Sequence, residues 1–127
     1  MRRSGGAEQA LEALGQLLSG SGWRLQWEAW VPGSVAQMVR DAATFFDADV
    51  PALLAWDASR WRDVTCPVLH IGGTASGRWF RRVRDVVVER LPQTEDVEVQ
   101  GADHALAVSH AERVAAAVHA FVHRHPV

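Results

Sequence analysis

The chain has no lysine, no asparagine and no tyrosine, and it has one cysteine, Cys66. A lone cysteine excludes an internal disulfide and a four-ligand cysteine metal site. The apolar neighbours of Cys66 predict a small core residue rather than a reactive thiol. All 13 basic residues are arginine, a bias that fits a GC-rich genome and carries no functional information. No stretch approaches the ~20 apolar residues of a membrane span. Met1-Arg2-Arg3 runs into Ser-Gly-Gly-Ala-Glu rather than an apolar core, so no secretory signal is read and cytoplasmic residence is expected. A net charge of −2 argues against nucleic acid or an anionic membrane surface as the main partner.

What is present is ordinary for a globular chain. Of the 127 residues, 48% are hydrophobic and 22% charged, enough for one modest core. No repeat or low-complexity block stands out. The first half reads as helical. Ala7, Leu11, Leu14, Leu17 and Leu18 predict an amphipathic helix over 7–18, stopped by Ser19-Gly20-Ser21-Gly22. Residues 23–30 alternate Trp23, Leu25, Trp27 and Ala29 with polar side chains, predicting a short strand or an extended cover segment. Pro32-Gly33-Ser34 predicts a turn and a helix N-cap. A helix over 35–46 follows, with Met38, Ala42 and Phe45 inward. Asp49 is expected to cap a second helix that holds Pro51 in its first turn and reaches Trp56.

The second half follows a different pattern. Val64 to Ile71 is a nearly continuous apolar run, as expected of a strand buried on both faces of a parallel sheet. Ser76-Gly77 opens a helix to Leu91 on which Trp79, Val83, Val86 and Val87 share helical spacing. A strand over 96–100 comes next, then Gly101-Ala102-Asp103-His104. The last helix, over 109–123, has Val114, Val118, Ala120 and Phe121 mostly inward. Strand, helix, strand predicts a right-handed parallel crossover. Two parallel strands alone make a poor sheet, so these residues are expected to be a piece of something larger, completed by missing sequence or by another chain.

The order strand, glycine turn, helix, strand, histidine loop, helix resembles the C-terminal end of the α/β-hydrolase family, in its cap-bearing bacterial branch. Residues 1–62 resemble the end of a helical cap, through Trp30-Val31-Pro32-Gly33 and Ala52-Leu53-Leu54-Ala55-Trp56. Residues 63–127 resemble the last two strands and helices of the core. There the likeness is carried by Cys66-Pro67-Val68-Leu69-His70-Ile71-Gly72-Gly73, Leu91-Pro92 and Val99-Gln100-Gly101-Ala102-Asp103-His104. The resemblance implies an α/β fold, a partial hydrolase core behind a cap remnant. It also implies hydrolysis of an ester or related bond in a small apolar substrate, with neither metal nor organic cofactor.

By that resemblance His104 falls at the general base, which takes a proton from a serine and returns it to the leaving group. The acid is expected just after Gly72-Gly73, where this chain has Thr74, Ala75 and Ser76. Ser76 is the candidate at that position; it can orient an imidazole but cannot stabilise imidazolium by charge. Asp103 adjoins His104, but neighbouring side chains on an extended segment point apart. The nucleophile motif Gly-x-Ser-x-Gly is absent, so the chain alone is expected to be inactive. Trp27, Trp30 and Phe45 are candidates for lining a substrate pocket, against the plainer reading of cap core.

Other constellations are weaker. Gly72 to Gly77 lacks the Lys-Ser/Thr of a phosphate loop. His119 and His123 read as a surface pair, and His70 as a hydrogen-bonded core histidine. The competing class is non-catalytic: a truncated or degenerate hydrolase-like protein that binds a ligand or pairs its open strand with another chain.

Overall fold

The computed structural model describes residues 4–57 and 59–126. The chain divides into two compact units, Met1–Asp57 and Ala58–Val127.

The first unit is helical. Helix α1 (Ser4–Ser19) lays Leu11 into the core with Ala7 beside it. Leu17 lies off the 7–11–14–18 line and is 81% exposed. Residues 23–30 form helix α2 (Trp23–Trp30), not the strand or extended segment that the alternation predicted. Helical spacing won because Trp23, Trp27 and Trp30 stand four and three residues apart, on one face. Trp23 is only 1% exposed, whereas Leu25, its partner in the two-residue alternation, is 82% exposed. The indole lies against Gly15 so closely that a Cβ there would sit 2.6 Å from Nε1. Its N–H donates to Glu12, which also accepts from Gln16 and Arg24. Hydrogen bonds from Gln16, then Arg24, then Trp23 lower the Glu12 pKa.

Helix α3 (Ser34–Thr44) begins differently from the expected serine cap. Gly33 holds the N-cap position, and the carboxylate of Glu28 accepts from Gly33 N–H (2.6 Å) and Val35 N–H (3.4 Å). Ser34 instead donates its hydroxyl to the Trp27 carbonyl. Glu28→Ala should therefore cost the first unit about 1 kcal/mol, the usual value of a lost cap. Urea unfolding followed by tryptophan fluorescence checks this; an unchanged midpoint would discard the capping role.

The expected second helix is not separately capped. Helix α3 continues through one π turn (Phe45–Asp49) into α4 (Val50–Ala55), and Asp49 is itself helical with no side-chain cap bond. The Val50 N–H reaches back to Phe45 O, widening the turn just before Pro51, which has no N–H to offer. The inward stripe of this run includes Val35, Met38, Val39, Ala42 and Phe46. Phe45, expected inward, is 40% exposed and stacks edge-on against Phe46.

The second unit carries the sheet. Strand β1 (Val68–Gly73) pairs in parallel with β2 (Thr94–Val99), in register from Val68 with Thr94 to Gly73 with Val99. Helix α5 (Gly77–Arg90) makes the crossover. A short helix α6 (Leu106–Ser109) and the last helix α7 (Ala111–Arg124) complete the unit. Side chains alternate across a strand, which assigns each helix a face. His70 and Asp96 share one face, where Asp96 pairs with both His70 and Arg84 of α5. Glu95, on the opposite face, pairs with Arg124 at the end of α7 and with His125 just beyond it. These bonds, first from Arg124 and then from His125, lower the Glu95 pKa.

The expectation of a deeply buried strand fails here. Every residue of β1 is only half-buried, and Cys66, expected in the core, is an exposed free thiol. The reason is geometric: among the described residues the sheet has two strands, so β1 is hydrogen-bonded along one edge and open along the other. Val118, expected inward on α7, is likewise exposed. Among the described residues, no helix is long and apolar enough to cross a membrane.

Candidate functional site

At the carboxyl ends of the two parallel strands, two loops are locked together. The Ala75 N–H donates to Ala102 O (2.8 Å), Thr74 N–H to Val99 O (3.1 Å), and Gly101 N–H to Thr74 Oγ1 (2.8 Å). Gly73 allows this approach. A Cβ at that position would lie 2.6 Å from the Ala102 carbonyl carbon and 2.8 Å from Asp103 O. Beside these loops opens a cavity of about 580 Å³, within the range of small-molecule sites. Its apolar wall includes Trp79, Phe80 and Val83 of α5 and Leu106 of α6.

His104 lines this cavity, and so does Ser76, so the structure brings these two sequence-derived candidates into one site. No hydrogen bond joins them. The His104 ring instead stacks on Phe80, with centroids 3.8 Å apart and planes 16° from parallel. Burial lowers the His104 pKa, and the neighbouring charge of Asp103 only partly opposes this. The shift favours the neutral imidazole, the state a general base requires. Asp103 is not its orienting acid: its Oδ1 accepts the Ala105 N–H at 2.8 Å. Among the described residues, His104 has no hydrogen-bond partner.

Trp27, Trp30 and Phe45, the substrate candidates, lie in the other unit. Trp27 packs against the Leu11–Trp23–Ala42 core and stands edge-on to Trp30 at 5.7 Å. None of the three lines this cavity.

The sequence reading missed a polar chain on the cavity wall. His70 Nδ1 lies 2.8 Å from Asp96 Oδ1, and Arg84 Nε donates to Asp96 Oδ2 at 2.7 Å. Burial alone would raise the Asp96 pKa, but the bonds from Arg84 and then His70 outweigh it, and the pKa is lowered. Arg84 is correspondingly raised, chiefly by its hydrogen bond to Asp96. His70 and Arg84 both line the cavity, as does Glu98. A hydrogen-bonded His70 was expected; its partner was not, because the pairing depends on strand register across 26 residues. A histidine in the apolar run of β1, and an aspartate at the matching third position of β2, were the available signal.

Among the described residues, no group of three or more metal-ligating side chains gathers. His119 and His123 stack in parallel on α7 with centroids 6.1 Å apart and no third ligand. Set against family models, curated proteins and solved structures, the chain matches none of them.

Proposed function

We propose that this chain carries the histidine portion of an α/β-hydrolase-type site. It would hydrolyse an ester or related bond of a small apolar substrate. His104 is the general base, and the serine nucleophile comes from outside these residues. The supporting observation is the position of His104. It follows the carboxyl end of β2, lines a cavity with largely apolar walls, and has its pKa lowered by desolvation. Ligands of open parallel sheets bind outside those strand ends. Ser76 sits where the family resemblance puts the acid and lines the same cavity, but it supplies no charge. On this reading the residues form part of a larger hydrolase core behind a helical cap. The substrate is a small molecule, and neither metal nor organic cofactor takes part.

The non-catalytic alternative draws on one observation: nothing described orients the His104 ring by a hydrogen bond. Sequencing the coding DNA upstream of Met1 decides between the two. An open frame with a strand ending in Gly-x-Ser-x-Gly, giving a product that hydrolyses a p-nitrophenyl ester, is the expected result. A stop codon close upstream would overturn the proposal. So would nucleophile-dependent ester turnover by the purified 127-residue chain.

A further inference from the structure

The bond between His70 and Asp96 has a chemical consequence for the cavity. An ionised carboxylate only accepts hydrogen bonds, so the 2.8 Å contact requires His70 Nδ1 to carry the proton. Arg84 holds Asp96 from the other oxygen and keeps it charged. In the neutral imidazole the remaining nitrogen, Nε2, is then an acceptor, and it makes no hydrogen bond among the described residues. The ring edge lies over Gly72, where a Cβ would come 3.0 Å from Cε1, so a side chain there would crowd the imidazole.

We propose that His70, fixed in its Nδ1–H tautomer by Asp96, is the hydrogen-bond acceptor of this cavity. It takes the hydroxyl of an uncharged apolar ligand, a phenol or a small alcohol. The walls select this class. Trp79, Phe80, Val83 and Leu106 offer an apolar and aromatic surface for the ligand body. Arg81 and Arg84 oppose a cation, whereas Glu98 opposes an anion. A neutral donor satisfies Nε2 without meeting either charge. This site does not depend on His104 acting as a base, so the hydrolase reading and the ligand site can fail separately.

The test uses p-cresol and toluene, which differ by one hydroxyl, titrated into the 127-residue chain at pH 8 and followed by NMR. The histidine ¹⁵N spectrum is expected to show His70 protonated at Nδ1 only. Saturating p-cresol should shift the His70 Nε2 resonance by more than it shifts either His104 nitrogen. p-Cresol should bind about tenfold more tightly than toluene, the usual contribution of one hydrogen bond to a half-buried acceptor. In His70→Leu the two probes should bind equally, at the toluene level. An Nε2–H tautomer in the unsubstituted chain, equal binding of the two probes, or a cresol shift confined to His104 would each overturn the proposal. All three are read without any substitution, so they stand even if His70→Leu fails to fold.

Discussion

Gly73→Ala is expected to unfold the strand-bearing unit or to weaken it by more than about 3 kcal/mol. The added methyl would strike the Ala102 carbonyl oxygen and lie within 2.6 Å of its carbonyl carbon. Inserting a methyl into a packed site costs about 1–3 kcal/mol where side chains can yield. Here the obstacle is backbone, held by the hydrogen bonds Ala75 N–H to Ala102 O and Thr74 N–H to Val99 O. Relieving the clash breaks them, at about 1 kcal/mol each. The total is a large share of the ~5–15 kcal/mol that holds a domain folded. Chemical denaturation of the purified variant measures it. A loss below about 0.5 kcal/mol would mean that the two loops are not packed as described. Because the same loops carry Ser76 and His104, a folded variant should also show altered exchange of the Ala105 amide, which Asp103 accepts.

The second large effect concerns His104 and belongs to the longer reading frame that the proposed function requires. In that protein His104→Ala should lower kcat/KM for a p-nitrophenyl ester by about 10²–10⁴, the usual contribution of a general base. The pH profile adds an independent check. Burial lowers the His104 pKa below its ordinary 6.5, and the base acts only when neutral. Activity should therefore rise with pH through an inflection below that value and stay level above it. The same shift has a stability consequence of fixed sign. A histidine with a lowered folded pKa contributes fully above its unfolded value, and the contribution is lost as pH falls through the folded one. Exposure of this loop keeps that contribution small. A loss under tenfold in His104→Ala, or an inflection at or above the ordinary value, would remove His104 from the base role.

The open edge of β1 gives the non-catalytic reading its physical content. Two strands bury little, and the half-buried run from Val68 to Gly73 reflects this. A further strand along that edge would bury it, whether it came from the same reading frame or from another chain.

The sequence by itself determined the alternation of elements. Glycine and proline punctuation marked the ends of α1, α5 and β1, and the apolar runs separated a helical first unit from a strand-helix-strand second one. It also singled out His104, because a histidine loop after a second strand is a local pattern, whereas Ser76 entered only through the family resemblance. What it could not decide were contacts between distant residues. Trp23 to Trp30 satisfied two periodicities at once, and only packing of the Trp23 ring against Gly15 chose the helix. Glu28 replaced Ser34 as the cap because chain reversal brought a carboxylate five residues upstream onto the open N–H groups. His70 met Asp96 because parallel register put them side by side, and Arg84 reached Asp96 from a helix lying across that face. Periodicity and turn chemistry act over a few residues and can be read along the chain. Register, ring packing and charge pairing act across space, and tertiary structure alone sets which side chains meet.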